Sequence, residues 1–246
     1  MIQIFRFSLC SIISVLLIIN TRCANKEKID TNLPWSQRMA KTILQDHPDI
    51  WSTEERTEPK WNYTYGLLSL SFLELYEKTG EQKYYDYVKK YCDELIDEKG
   101  IIKTYKKTDY NIDMINSGKI LFLLYEKTSD QRYKIAIDSL REQLREHPQT
   151  EIGGFWHKKK YPHQMWLDGL YMGAPFYAQY GQVYNEPENF DAVAHWIITM
   201  EKVARDPETG LLYHGWDESK QQQWADPETG LSSNFWGRGI GWYSPA

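Results

Sequence analysis

Tyr76-Glu77-Lys78-Thr79-Gly80-Glu81-Gln82-Lys83-Tyr84 returns, with mild changes, as Tyr125-Glu126-Lys127-Thr128-Ser129-Asp130-Gln131-Arg132-Tyr133, a repeat with a period of 49 residues. Each copy is polar and sits between two apolar patterns of helical period. Leu67, Leu68, Leu70, Phe72, Leu73 and Leu75 lead into the first, and Tyr85, Tyr87, Val88, Tyr91 and Leu95 follow it at three- and four-residue spacing. The unit is a helical hairpin, and self-similarity at this period marks a stack or ring of such units. A third, more diverged copy runs through Tyr171–Tyr180, the polar turn Tyr184-Asn185-Glu186-Pro187-Glu188, and Phe190–Val203. No stretch after the N-terminus alternates as strands do, so the expected fold is all-α, with hairpins arranged around an axis as a helical barrel.

Between hairpins lie connections of similar design: Thr104–Asp113, Ile152–Asp168 and Leu211–Arg238. The last carries a doubled turn motif, Asp206-Pro207-Glu208-Thr209-Gly210 and Asp226-Pro227-Glu228-Thr229-Gly230. Each connection ends in a polar or aromatic cluster before the next inward helix. Trp61-Asn62-Tyr63-Thr64-Tyr65, Asn111-Ile112-Asp113, Trp166-Leu167-Asp168 and Trp236-Gly237-Arg238 would therefore share one end of a barrel. Helix N-termini at that end bring partial positive charge, which favours anionic groups.

The chain of 246 residues is long enough for one large domain. Residues 1–22 read as a signal peptide, with Arg6 ahead of a mostly apolar run from Phe7 to Ile19; 23–34 read as a linker and 35–246 as the catalytic barrel domain. Cys23 stands where a bacterial lipoprotein is cleaved and lipidated, although Thr21-Arg22 is a poor lipobox; plain secretion fits equally. Either way the expected location is the periplasm or a lipid anchor on the bacterial envelope, and any membrane contact is through Cys23. The net charge of −5 becomes −7 without Arg6 and Arg22, which argues against nucleic acid as a partner. Of three cysteines only Cys92 lies in the body, so no disulfide framework forms. No spacing of His, Cys, Asp and Glu matches a closed metal site, and no glycine-rich phosphate loop is present. With 10 Trp and 18 Tyr, many of them in the connections, the chain is well supplied with rings that stack on sugars.

Met165-Trp166-Leu167-Asp168-Gly169-Leu170-Tyr171-Met172 sets one carboxylate among large apolar side chains at a helix start. Asp168 is either an N-cap or a group whose charged form is disfavoured by desolvation and which suits proton transfer. Asp113, His157, His163, His214 and Arg238 recur in the same connections beside aromatic residues. Two carboxylates on one rim suit acid/base work on a sugar, since one can hold the other's pKa up, and the basic groups point to a substrate bearing a carboxylate. For each histidine, a satisfied, partly buried side chain is the competing reading.

Phe155-Trp156-His157-Lys158, His163-Gln164-Met165-Trp166-Leu167-Asp168-Gly169-Leu170-Tyr171-Met172, Leu212-Tyr213-His214-Gly215-Trp216 and Phe235-Trp236-Gly237-Arg238-Gly239 together resemble glycoside hydrolase family 105, the unsaturated rhamnogalacturonyl hydrolases. The resemblance covers residues 35–246 and implies an (α/α)6 barrel acting on unsaturated pectin oligosaccharides without metal or organic cofactor. It implies that Asp168 protonates C4 of a 4,5-unsaturated uronic acid and accepts a proton from the water that attacks C5; the resulting hemiketal opens and releases the next sugar. It further implies that Asp113 is a second essential acid, and that His157, Lys158, His214, Trp236 and Arg238 line the substrate pocket. Trp166 and Trp216 would offer ring faces to the sugar, and either Tyr63 or Tyr65 would join them from the first inward helix. Six hairpins of about 50 residues need roughly 300, so a chain ending at Ala246 is expected to lack the last ones. The alternatives are a sugar-binding protein without catalysis, an unsaturated glucuronyl hydrolase acting on glycosaminoglycan fragments, and a sugar epimerase of the same barrel class. The His157-Lys158 and Trp236-Gly237-Arg238 motifs favour the rhamnogalacturonyl reading.

Overall fold

The computed structural model describes residues 28–246; the segment 1–22 read as a signal peptide, with Cys10, and Cys23 lie outside the described residues. After α1 (Trp35–Asp46), three helical hairpins follow in sequence: α2 (Tyr63–Thr79) with α3 (Gln82–Leu95), α4 (Lys119–Thr128) with α5 (Gln131–Glu146), and α6 (Leu167–Tyr184) with α7 (Glu188–Ala204). A short α8 (Gly237–Tyr243) ends the described chain. The architecture is that of an α/α barrel, with α2, α4 and α6 side by side on the inside and their partners outside.

The repeated nonapeptide is the hairpin turn, and its residues perform the same tasks twice. Thr79 and Thr128 donate to the carbonyls of Leu75 and Leu124, four residues back, and accept from the amides of Glu81 and Asp130. Between them Gly80 (φ 70°) and Ser129 (φ 56°) take the left-handed conformation that ends a helix, returning their N–H groups to Tyr76 and Tyr125. Tyr84 and Tyr133 then drop into the core with no exposed surface. In the third copy Asn185 (φ 57°) holds the same left-handed position.

The starts of the inward helices are stitched to one another. Trp61, fully buried, donates its indole N–H to the Met114 carbonyl at 2.8 Å. Asn116 and Ser117 donate to the carbonyls of Tyr63 and Asn62 at 2.9 and 2.7 Å. These bonds tie the start of α2 to a 3₁₀ turn, Ile112–Gly118, that runs directly into α4, so both helices begin at a common level.

The helical fold carries one short ladder in its connections. Gln164–Trp166 (β1) and Gly215–Asp217 (β2) form a two-stranded antiparallel ladder in which Met165 faces Trp216 and Trp166 faces Gly215. Strands of three residues are too short to display alternation in a sequence. The doubled turn motif is structural: Asp206 and Asp226 each accept from the amide and the hydroxyl of the threonine three residues on, the side-chain turn geometry that Asp favours. Cys92 is buried as a free thiol.

Candidate active site

Asp113 sits at the start of the 3₁₀ turn, where the Asn111 side chain accepts from its amide at 3.2 Å. Its carboxylate lies 3.2 Å from His157 Nε2 and 2.5 Å from Lys158 Nζ. Residues more than forty positions apart meet because the backbone joins them: the Ile112 amide donates to the His157 carbonyl at 3.1 Å, and Asn111 bridges to Lys158. Burial works to raise the Asp113 pKa, but the charges and contacts of His157 and Lys158 together outweigh it and hold the carboxyl at about 2. The expectation that one acid holds the other's pKa up is thus not met at Asp113, where the contacts of His157 first, and Lys158 with it, prevail. His157 is almost fully buried, its ring stacked on Trp166 at 4.4 Å between centroids with a 15° tilt; Trp166 stacks in turn with Tyr161 at 5.2 Å.

Asp168 is in the first turn of α6 but does not cap it. The N-cap is Trp166, and no side chain there accepts from a helix amide. Asp168 Oδ2 instead lies 3.4 Å from His214 Nδ1. Both atoms are buried and neither is aligned in a hydrogen bond. The ladder sets this proximity, because the Leu167 amide donates to the His214 carbonyl at 3.0 Å while Trp166 pairs with Gly215. Burial is the largest influence on His214 and lowers its pKa; Asp168 opposes, and the charges of His157 and Arg238 add to the lowering. The imidazole is therefore neutral near pH 7. Trp236 meets the His214 ring edge to face at 4.6 Å, and the exposed Arg238 guanidinium lies 4.0 Å over the Trp236 ring.

A residue overlooked in the sequence completes this side. Gly239 in α8 is buried against the pair, and a Cβ there would stand 2.8 Å from His214 Nδ1 and 3.7 Å from Asp168 Oδ2. The available signal was a glycine directly after Trp236-Gly237-Arg238 at a helix start.

Of the two tyrosines, the structure selects Tyr63. Its pKa is raised by burial first and then by Asp113 and Asp168, with Arg238 opposing, so its hydroxyl lies within electrostatic reach of all three groups. Tyr65 is corrected to a core residue, 1% exposed, donating its hydroxyl to the Trp51 carbonyl. Trp216 is also corrected. It lies on the Met165 side of the ladder, opposite Trp166, because successive strand residues point to opposite faces; its indole N–H is engaged by the Thr229 carbonyl at 3.1 Å. His163 faces Glu218 at 3.8 Å and packs on Trp156, apart from the carboxylate contacts. A cavity of about 580 Å3 opens beside the pair, lined by Trp166, His214, Trp236 and, unforeseen, Trp224. Gly215 lies between two of these rings, 3.4 Å from Trp166 and 3.5 Å from Trp224 as measured from the position of a Cβ. Among the described residues, no group of three or more His, Cys, Asp and Glu side chains is placed to hold a metal ion.

Residues 35–246 match the family described as Glycosyl Hydrolase Family 88. The chain belongs to that family. Within the wider group around family 88, the chain is 44% identical to a glycoside hydrolase from family 105 of C. acetobutylicum ATCC 824, with a TM-score of 0.80 over 86% of this chain and 57% of that one. It is 27% identical over 188 residues to the unsaturated rhamnogalacturonyl hydrolase YesR of Bacillus subtilis (strain 168), covering 74% of this chain and 51% of that protein. An unsaturated glucuronyl hydrolase specific for heparin shares the fold at 18% identity and a TM-score of 0.51, over 74% of this chain and 48% of that one. The chain thus spans about half the length of these relatives.

Proposed function

We propose that this protein hydrates the 4,5 double bond of an unsaturated galacturonyl residue at the non-reducing end of rhamnogalacturonan oligosaccharides, releasing the next sugar. The observation that carries the reading is the pairing of two unlike carboxylates on one rim. Asp113 is held ionised by Lys158 and His157, while Asp168 keeps a buried, unbonded oxygen against a neutral imidazole. The relationship to YesR supports the substrate class.

In this reading Asp168 gives its proton to C4 of the enol ether, and positive charge develops at C5 beside the ring oxygen. Water adds to C5 and returns a proton to Asp168, so the acid is regenerated. The product is a hemiketal at C5; its opening leaves a ketone at C5 and a hemiacetal at C1, and collapse of that hemiacetal to the aldehyde breaks the bond to the neighbouring sugar and frees it. His214, uncharged, orients Asp168 without fixing it as an ion pair. Arg238, exposed over Trp236, takes the uronate carboxylate through charge-assisted hydrogen bonds. Tyr63, Trp166 and Trp236 border the sugar, and Asp113 with His157 and Lys158 binds its hydroxyls. The proposal includes export to the cell envelope under the leader 1–22, with or without lipid at Cys23.

The test is loss of the ultraviolet absorbance of the double bond when the protein meets a lyase-generated unsaturated rhamnogalacturonan disaccharide. Loss with the wild type and none with Asp168→Asn supports the assignment. A folded protein that binds the disaccharide but leaves the absorbance untouched overturns it in favour of sugar binding without catalysis.

A further inference from the structure

A second cavity, of about 550 Å3, adjoins the Asp113 side of the rim and is walled by Lys106, Lys158, Lys159, Lys160 and Asn111, with Asp109 as the one acid among its lining residues. Four ammonium groups around one hollow are conspicuous in a chain whose net charge is −5. Lys106, Lys159 and Lys160 are exposed. Lys106 stands 3.7 Å from Asp109, a loose surface pair, whereas among the described residues Lys159 and Lys160 have no carboxylate within ion-pair distance. Each instead lies over a ring, Lys159 over Tyr110 at 5.5 Å and Lys160 over Tyr161 at 4.8 Å, which leaves their charge available to a ligand.

Two residues belong to both places. Lys158 lines the hollow while its ammonium contacts Asp113, and Asn111 lines it while capping the Asp113 amide. The stacked rings Tyr161, Trp166 and His157 link Lys160 to the same carboxylate. The hollow therefore adjoins the candidate active site through Lys158 and Asn111, and its lysines offer a second carboxylate the same positive charge that Arg238 offers the first.

We propose that this lysine-walled hollow is a subsite for a second uronate carboxylate, carried further along an acidic oligosaccharide whose terminal sugar occupies the site at Asp168. The inference rests on the function proposed above and names the form of substrate preferred: oligosaccharides with at least two acidic sugars over the single-uronate disaccharide. The contacts are surface ion pairs, individually weak, so the preference comes from several acting together and fades with salt.

Calorimetric titration compares a saturated rhamnogalacturonan tetrasaccharide, which carries two galacturonates, with the counterpart whose inner galacturonate alone is carboxyl-reduced, so that the terminal carboxylate is the same in both. The tetrasaccharide should bind the wild type at least about fivefold more tightly at low salt, and the double variant Lys106→Gln/Lys159→Gln should lose that margin while turnover of the unsaturated disaccharide stays unchanged. Equal affinity for the acidic and reduced sugars, or an undiminished margin in the double variant and in Lys160→Gln, overturns the subsite. Binding is read on saturated sugar, so it reports on the subsite even where no turnover is seen. Absent disaccharide turnover with the acidic margin intact would refute the catalytic reading alone.

Discussion

Gly239→Ala separates the geometry of the site from the stability of the helix that carries it. Three glycines lie in α8, and around Gly237 and Gly241 a Cβ meets nothing within 4 Å, while at Gly239 it arrives 2.8 Å from His214 Nδ1. Ordinary contact begins near 3.4 Å, so the imidazole must retreat by about 0.6 Å or α8 must lift away from α6. Alanine in place of glycine favours a helix by about 0.5–1 kcal/mol, and this gain is expected at Gly237 and Gly241. At Gly239 overpacking costs about 1–3 kcal/mol, which cancels or exceeds it. The rate falls as well, because misplacing a catalytic group by about 1 Å costs on the order of a hundredfold; a displacement of about 0.6 Å should cost roughly tenfold. Initial rates of absorbance loss for the three alanine variants, with His214 titration followed by NMR, decide the matter. A Gly239→Ala rate within twofold of Gly237→Ala, with His214 titrating as in the wild type, would refute the claim that Gly239 sets the His214–Asp168 contact.

Asp168→Asn should abolish turnover with the disaccharide affinity kept within a few-fold, measured by titration calorimetry; a substantial residual rate would move the acid role elsewhere. His147 is buried, shares a contact with Gln143, approaches the Trp156 carbonyl at 2.8 Å through Nε2, and has its pKa lowered to about 4, chiefly by burial. As pH falls from 6.5 towards 4 the unfolded chain takes up a proton that the folded one refuses, so a stabilisation fully present above pH 6.5 is lost across that window. The loss is about 3 kcal/mol, and urea midpoints should show it in the wild type and much less of it in His147→Gln. Lys119 has its amine buried over the Tyr171 ring at 3.8 Å and its pKa lowered to about 7 by desolvation. Below pH 10.5 the unfolded chain gains the proton first, so stability falls from pH 10.5 to 7. Lys119→Met should therefore be about 2–3 kcal/mol more stable at pH 7, after allowing about 2 kcal/mol for the lost ring contact, and the gain should shrink towards pH 10.5; an unchanged urea midpoint at pH 7 would count against it.

The hairpins were legible because their turns are local. Thr79 and Thr128 bond within four residues of themselves, and Gly80 and Ser129 need only their own backbone angles, so the sequence states the turn twice in the same letters. The level of the site was legible for a related reason, since a ring of hairpins puts the start of every inward helix at one end. The choice between Tyr63 and Tyr65 was not, because both lie on one helix and only the packing of Trp51 and Tyr91 around Tyr65 assigns it to the core. Trp216 was misassigned for want of a strand: three residues show no alternation, yet their register turns its indole away from the cavity that Trp224 lines. Gly239 was silent because its function is an absence of atoms, visible only against His214 and Asp168.

The two carboxylates have different surroundings on one rim without a difference in residue type, and the two roles proposed for them rest on that difference. Both are aspartates near the start of an inward element, where the helix end favours negative charge equally. What differs is the partner delivered by the connecting segment. The connection before α6 brings Lys158 and His157 to Asp113, and a cation at 2.5 Å fixes it as an anion at any pH above about 2. The connection before α8 brings His214 to Asp168, buried enough that its pKa falls, so the partner carries no charge at neutral pH. The aspartate facing the cation is held in an ion pair, whereas the one facing the neutral ring keeps an oxygen free of hydrogen bonds, the difference on which the acid/base role proposed for Asp168 rests. Exchanging the partners would exchange the roles. His214→Lys, placing an ammonium beside Asp168, should suppress turnover as strongly as Asp168→Asn while leaving the carboxylate in position, whereas His214→Gln, uncharged and of similar reach, should retain a measurable rate. If the lysine variant proved the more active of the two, the charge state of the partner would not be what distinguishes Asp168 from Asp113.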